Sequence, residues 1–79
     1  MIIDDLIDAF NEAQNDGSDI CVEVTIPGQN ETEFIINRNK SLANKLEYYC
    51  NTYDDNLVHK HCKDIRIVSA TPIEFSCEI

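Results

Sequence analysis

The residues with the most chemistry to offer stand in a row: His59, Lys60, His61 and Cys62. Imidazole and thiolate are zinc ligands, and a tetrahedral site takes four of them. The spacing does not supply four. No Cys-x-x-Cys pair occurs, and Cys21, Cys50 and Cys77 are scattered through separate segments. His59 and His61 project to the same side of an extended segment, which makes a two-ligand fragment at most. The favoured reading is two surface histidines in a polar loop, with no metal and no cofactor. Cys62 with either histidine could also form a nucleophile and base, but such a pair needs an oriented pocket and an oxyanion site. A chain of 79 residues with two glycines has few places to build them. There is no glycine-rich phosphate loop, Gly-x-Ser-x-Gly elbow or His-Glu-x-x-His helix either. The sequence reads as a protein that is not an enzyme.

The other chemical feature is carboxylate. Fifteen Asp and Glu stand against six Lys and Arg, for a formal charge of −9. The imbalance belongs entirely to the first half. Asp4, Asp5, Asp8, Glu12, Asp16, Asp19, Glu23, Glu31 and Glu33 fall in residues 1–37, which contain no Lys or Arg. Direct binding of nucleic acid or an anionic membrane is excluded by this sign of charge. The bland explanation is a solvated surface that keeps a small protein soluble. The functional one is a set of carboxylates offered to a basic partner.

These residues need elements to hold them. An apolar share of 43% is enough for a folded core. Ile3, Leu6, Ile7, Phe10 and Ala13 form one helical stripe, with Asp4, Asp8 and Glu12 four apart on another face and Asp5 beside them. Successive carboxylates then lie about 6 Å apart along the helix. Asp4 and Asp5 also suit the positive end of the helix. Asn15-Asp16-Gly17-Ser18 stops it. Ile20, Val22, Val24 and Ile26 alternate with Cys21, Glu23 and Thr25 as a half-buried strand, and Thr32–Asn37 returns as the second arm of a hairpin. Ser41 is placed to cap a second helix, with Leu42, Leu46, Tyr49, Cys50 and Tyr53 at core spacing and Tyr48 exposed. Lys60–Asp64 reads as a polar connection, Ile65–Ala70 as a third strand, Thr71-Pro72 as a break and Ile73–Ile79 as a fourth strand. The expectation is a single α+β domain over residues 1–79. Its order is α-β-β-α-β-β: a small antiparallel sheet with both helices on one face. Cys50 and Cys77 fall on core faces, while Cys62 is the thiol expected to be most exposed. No apolar run is long enough to span a membrane, and Met1–Asp5 lacks the basic start of a signal peptide. The expected location is therefore cytoplasmic, in a host cell that keeps the thiols reduced.

The run Lys45-Leu46-Glu47-Tyr48-Tyr49-Cys50-Asn51-Thr52-Tyr53-Asp54-Asp55-Asn56-Leu57, followed by Ile65-Arg66-Ile67-Val68, resembles short proteins encoded by phages and prophages of low-GC Gram-positive bacteria. The opening Ile3-Asp4-Asp5-Leu6-Ile7, placed before a hairpin and a second helix, resembles small acidic anti-CRISPR proteins that inhibit an RNA-guided nuclease. In that class an acidic surface occupies the site where the nuclease reads its target-adjacent DNA motif. The chain has no acidic loop matching the class, so no individual binding residue is carried over from it. The resemblance implies a protein partner with a basic nucleic-acid-binding groove, such as a Cas effector. The contact residues read from charge are Asp4, Asp5, Asp8 and Glu12 on the helix, with Glu31 and Glu33 from the hairpin. The alternative is an assembly module that homodimerises through an exposed strand edge, with Ile73–Ile79 as the candidate edge. Monomer and homodimer both stay open.

Overall fold

The computed structural model describes residues 1–73. The elements are α1 (Ile3–Asp16), β1 (Asp19–Thr25), β2 (Thr32–Asn37), a 3₁₀ turn (Asn39–Ser41), α2 (Leu42–Thr52), β3 (Val58–His59) and β4 (Cys62–Ile73). All strand pairs are antiparallel, in the order β2-β1-β4-β3. The fold is α+β, as the patterning requires. Ile20, Val22 and Val24 of β1 and Ile67 of β4 meet Leu6, Phe10 and Ala13 of α1, together with Leu42, Tyr49 and Tyr53, in one buried cluster. The opposite face of the sheet carries Cys21, Glu23 and Thr25, and among the described residues no helix packs on it.

Local chemistry fixes the ends of α1. The Asp5 carboxylate accepts the Ile2 N–H at 2.9 Å, supplying the half of a capping box that the apolar Ile2 side chain cannot return. At the far end Gly17 adopts φ 75°, the left-handed conformation that a glycine enters without steric cost, and its N–H donates to the Ala13 carbonyl. The Asn39 side chain donates to the same carbonyl at 3.0 Å and to the Ser18 carbonyl at 2.8 Å. Asp19 closes the knot. Its buried carboxylate accepts the Asn39 N–H at 2.7 Å and the Arg38 guanidinium at 3.3 Å. Helix end, first strand and hairpin exit are thereby tied together.

A polar pair runs through the core. The Tyr49 hydroxyl donates to Asn37 Oδ1 at 3.2 Å, and Asn37 Nδ2 donates to the Ile20 and Ile35 carbonyls. The Phe10 ring meets Tyr49 edge-on at 5.8 Å. Burial pushes the Tyr49 and Tyr53 hydroxyls above the ordinary tyrosine range.

Several expectations are corrected. The third strand is Val58–His59, and the predicted connection and strand from 60 to 70 belong instead to a tight turn and the long β4. Leu57, fully buried, takes φ 62° to start this reversal, and its N–H donates to the Asp54 carbonyl. Burial of the isobutyl group offsets a conformation that a bulky residue rarely adopts. Thr71-Pro72 does not break the chain, because Pro72 pairs with Ile20. β3 reaches only as far as Arg66, so the outer side of β4 is open further along among the described residues, where a residue without an N–H is tolerated. A bulge at Val68 shifts the register between Glu23 and Val24, placing Ser69 on the open face and Ala70 against the core. Ser41 stands at the start of α2, but its hydroxyl caps nothing; the preceding 3₁₀ turn makes the entry. Of the proposed edge Ile73–Ile79, only Ile73 lies within the described residues, and there it ends β4 opposite Asp19.

Candidate partner-binding site

α1 packs its apolar stripe on β1 and β4, which turns Asp4, Asp5, Asp8 and Glu12 outward. The helix runs two residues into its stop signal, through Asn15 and Asp16, so Asp16 joins the same i, i+4 row. The sequence reading missed it because Asn15-Asp16-Gly17 looks like loop chemistry, whereas Gly17 alone makes the turn. Asp4, Asp8, Glu12 and Asp16 therefore form an acidic ridge that spans about 18 Å of the helix and winds about 120° around its axis, roughly 40° per step. Among the described residues no ion pair or hydrogen bond engages any of the four; the ion pair present joins Arg38 to Asp19. Asp5 differs. One of its oxygens is committed to the Ile2 N–H, so it holds the helix end as well as adding charge.

The ridge is costly to the fold. Each like-charged i, i+4 pair opposes the helix by about 0.2–0.5 kcal/mol, and an acid in the last turn also meets the negative end of the macrodipole. No basic residue occupies that last turn. Among the described residues, cations lie near both ends of the helix without forming an ion pair with the ridge. Lys60 shares a shallow cleft with Ile3, Asp54 and Asp55, and Arg66 lines another with Met1, both beside the start of α1. At the other end Arg38 and Lys40 line a cleft with Gly17 and Asp19, so Asp8 and Glu12, in the middle of the ridge, are the part farthest from the cations.

Glu31 and Glu33 are exposed and are carried by the hairpin, not by the helix that holds the ridge. Glu33 stands opposite Val24 on the edge strand beyond β1. Glu23 is held elsewhere again. Its carboxylate accepts the Thr32 hydroxyl and, at 3.0 Å, the Ser69 hydroxyl, pinning it to the open sheet face.

The histidine cluster is partly ordered. His59 belongs to β3, its ring lies edge-on to Tyr53 at 5.3 Å, and its Nδ1 accepts the His61 N–H at 3.0 Å. The acceptor role leaves Nε2 as the proton-bearing nitrogen of the neutral ring. The two rings stand 6.0 Å apart. Among the described residues no group of three or more His, Cys, Asp or Glu gathers at metal-binding distance. Cys62 is half-buried, like Cys21 and Cys50, so it is not the outlying thiol the sequence implied. Tyr48 is exposed as expected, and Tyr49 and Tyr53 are in the core. No helix among the described residues is long and apolar enough to cross a membrane.

Comparison with known protein families, characterised proteins and solved structures gives no match to this chain. The functional reading therefore rests on the geometry and charge of the molecule itself.

Proposed function

We propose that the protein is a small inhibitor that docks the acidic ridge of α1 into the basic nucleic-acid groove of a host enzyme, in the manner of an anti-CRISPR protein against a Cas effector. The carrying observation is the uncompensated row Asp4, Asp8, Glu12 and Asp16 on one rigid helix. With Asp5 it places five negative charges along about 18 Å, close to the one charge per roughly 3.4 Å of a single nucleic-acid strand. A line of charge at that density competes for the Lys and Arg residues that hold phosphates, and it speeds association with them. Glu31 and Glu33 form a separate flanking contact. Asp5 acts first as a helix cap and second as a charge.

The test is affinity capture from a lysate of a low-GC Gram-positive bacterium containing active CRISPR effectors, at low and high salt. Recovery of a nucleic-acid enzyme that high salt releases and competing DNA displaces supports the reading. The variant Asp8→Lys with Glu12→Lys serves as control bait and should recover none of it. Equal recovery by that variant overturns the role of the ridge.

A further inference from the structure

We infer that the edge strand β2 is a self-pairing surface, through which two copies of the chain join their sheets into one antiparallel eight-stranded sheet. Among the described residues β2 is the outermost strand and pairs with β1 alone, so its other side presents backbone N–H and C=O groups without a strand partner. Exposed edges of this kind are normally blunted by lysine, proline or a bulge. β2 has no lysine, proline or bulge, and its single charge is Glu33 near its start. Its sequence is Thr-Glu-Phe-Ile-Ile-Asn, and its register with β1 runs unbroken from Ile20–Asn37 to Thr25–Thr32. Instead it displays Phe34 at 63% exposure and Ile36 at 51%, both on the open face of the sheet.

The occupant is a second copy because β2 is complementary to itself. In a two-fold antiparallel pair both sheets keep the same face outward, so each residue must meet one of its own facing class. The register centred on Ile35 meets this condition and sets Phe34 of each copy opposite Ile36 of the other. Two aromatic–β-branched cross-strand pairs result, a kind that stabilises antiparallel sheets. Ile35 meets its own counterpart on the helix side. The strand is also polar in charge, with Glu31 and Glu33 at its start and Lys40 past its end, while Arg38 is already paired with Asp19. Antiparallel pairing sets the acidic end of one copy alongside the basic end of the other; parallel pairing would set like beside like. Self-pairing carries both pairs of helices on one face of the joined sheet, and so presents two acidic ridges in the same direction. The inference does not depend on what those ridges bind.

Light scattering after size exclusion, in reducing buffer across the micromolar range, is the test. The expected result is a mass rising with concentration from 9.0 kDa to twice that value. High salt should strengthen the dimer by screening two chains of charge −9 from each other. Capture of a basic partner has the opposite salt dependence, so the two interactions are distinguishable. Phe34→Lys with Ile36→Lys, at positions already open to solvent, should stay monomeric throughout while melting cooperatively. Backbone amides of residues 32–37 should gain hydrogen-exchange protection with concentration in the wild type and not in the variant. A wild-type mass fixed at that of one chain in high salt overturns the inference. So does a dimer that survives the double lysine variant, or one that leaves the β2 amides unprotected.

Discussion

Replacing Glu12 by lysine should make the fold more stable and the protein less able to bind. Glu12 stands between Asp8 and Asp16 on the ridge and has no partner among the described residues. Each of its two like-charged i, i+4 contacts opposes the helix by about 0.2–0.5 kcal/mol, and a lysine would turn both into attractions of similar size. The summed change is about 1 kcal/mol, reduced by screening because all three side chains are exposed. For a domain of this length, that corresponds to a rise in Tm of about 4–8 °C. Thermal unfolding followed by circular dichroism at low ionic strength measures it, and Glu12→Gln should show about half the rise, since it removes repulsion without adding attraction. The gain should shrink as salt is added. A surface acid kept merely for solubility gives no reason for binding to fall as the fold strengthens. If Glu12→Lys lowers Tm or leaves it unchanged at low salt, the ridge is not the uncompensated row described, and the case for a binding role goes with it.

Three further outcomes follow from the core. Stability should fall on the alkaline side. Tyr49 and Tyr53 have pKa values raised by burial, so their contribution is whole below the unfolded value of about 10 and is lost as pH climbs through the folded values. Urea midpoints measured across that range should show a decline that is shallower in Tyr49→Phe. At neutral pH Tyr49→Phe should itself cost about 1–3 kcal/mol, because it leaves the buried Asn37 oxygen without its donor. Leu57→Ala should cost about 2–5 kcal/mol, since it empties a fully buried site. Leu57→Gly should be no worse than the alanine variant in the same urea titration, because glycine adopts the observed φ of 62° without strain.

Where a short-range pattern decided the structure, the sequence could be read directly. The 3.6-residue stripe of Leu6, Phe10 and Ala13 and the alternation of Ile20, Val22 and Val24 each place a buried face without reference to the rest of the chain. The hairpin return at Thr32–Asn37 is legible for the same reason. The second half misled because its signals depend on distant partners. Val58 and His59 look like loop until β4 arrives beside them, and Pro72 looks like a break until the outer side of the strand is seen to be open. The bulge at Val68 leaves no mark in a run of apolar residues, although it decides that Ser69 reaches Glu23. Among the candidate contacts, Asp4, Asp8 and Glu12 were visible as a row from spacing alone. Asp16 was hidden by the loop-like residues around it, and the helix-capping duty of Asp5 could be suspected only from its first-turn position. The position of Glu33 on the outermost strand could not be read at all, because it depends on the order of strands in the sheet.

The most direct test of the ridge is a displacement titration on the enzyme recovered by capture, loaded with a fluorescent DNA duplex and followed by anisotropy. Wild-type protein should release the duplex competitively, raising its apparent Kd without changing the signal at saturation, and should lose potency steeply with salt. Asp8→Lys with Glu12→Lys should release none at the same concentrations. Duplex that stays bound at saturating wild-type protein, or that is released equally by the charge-reversed variant, would contradict competition by the acidic face of α1.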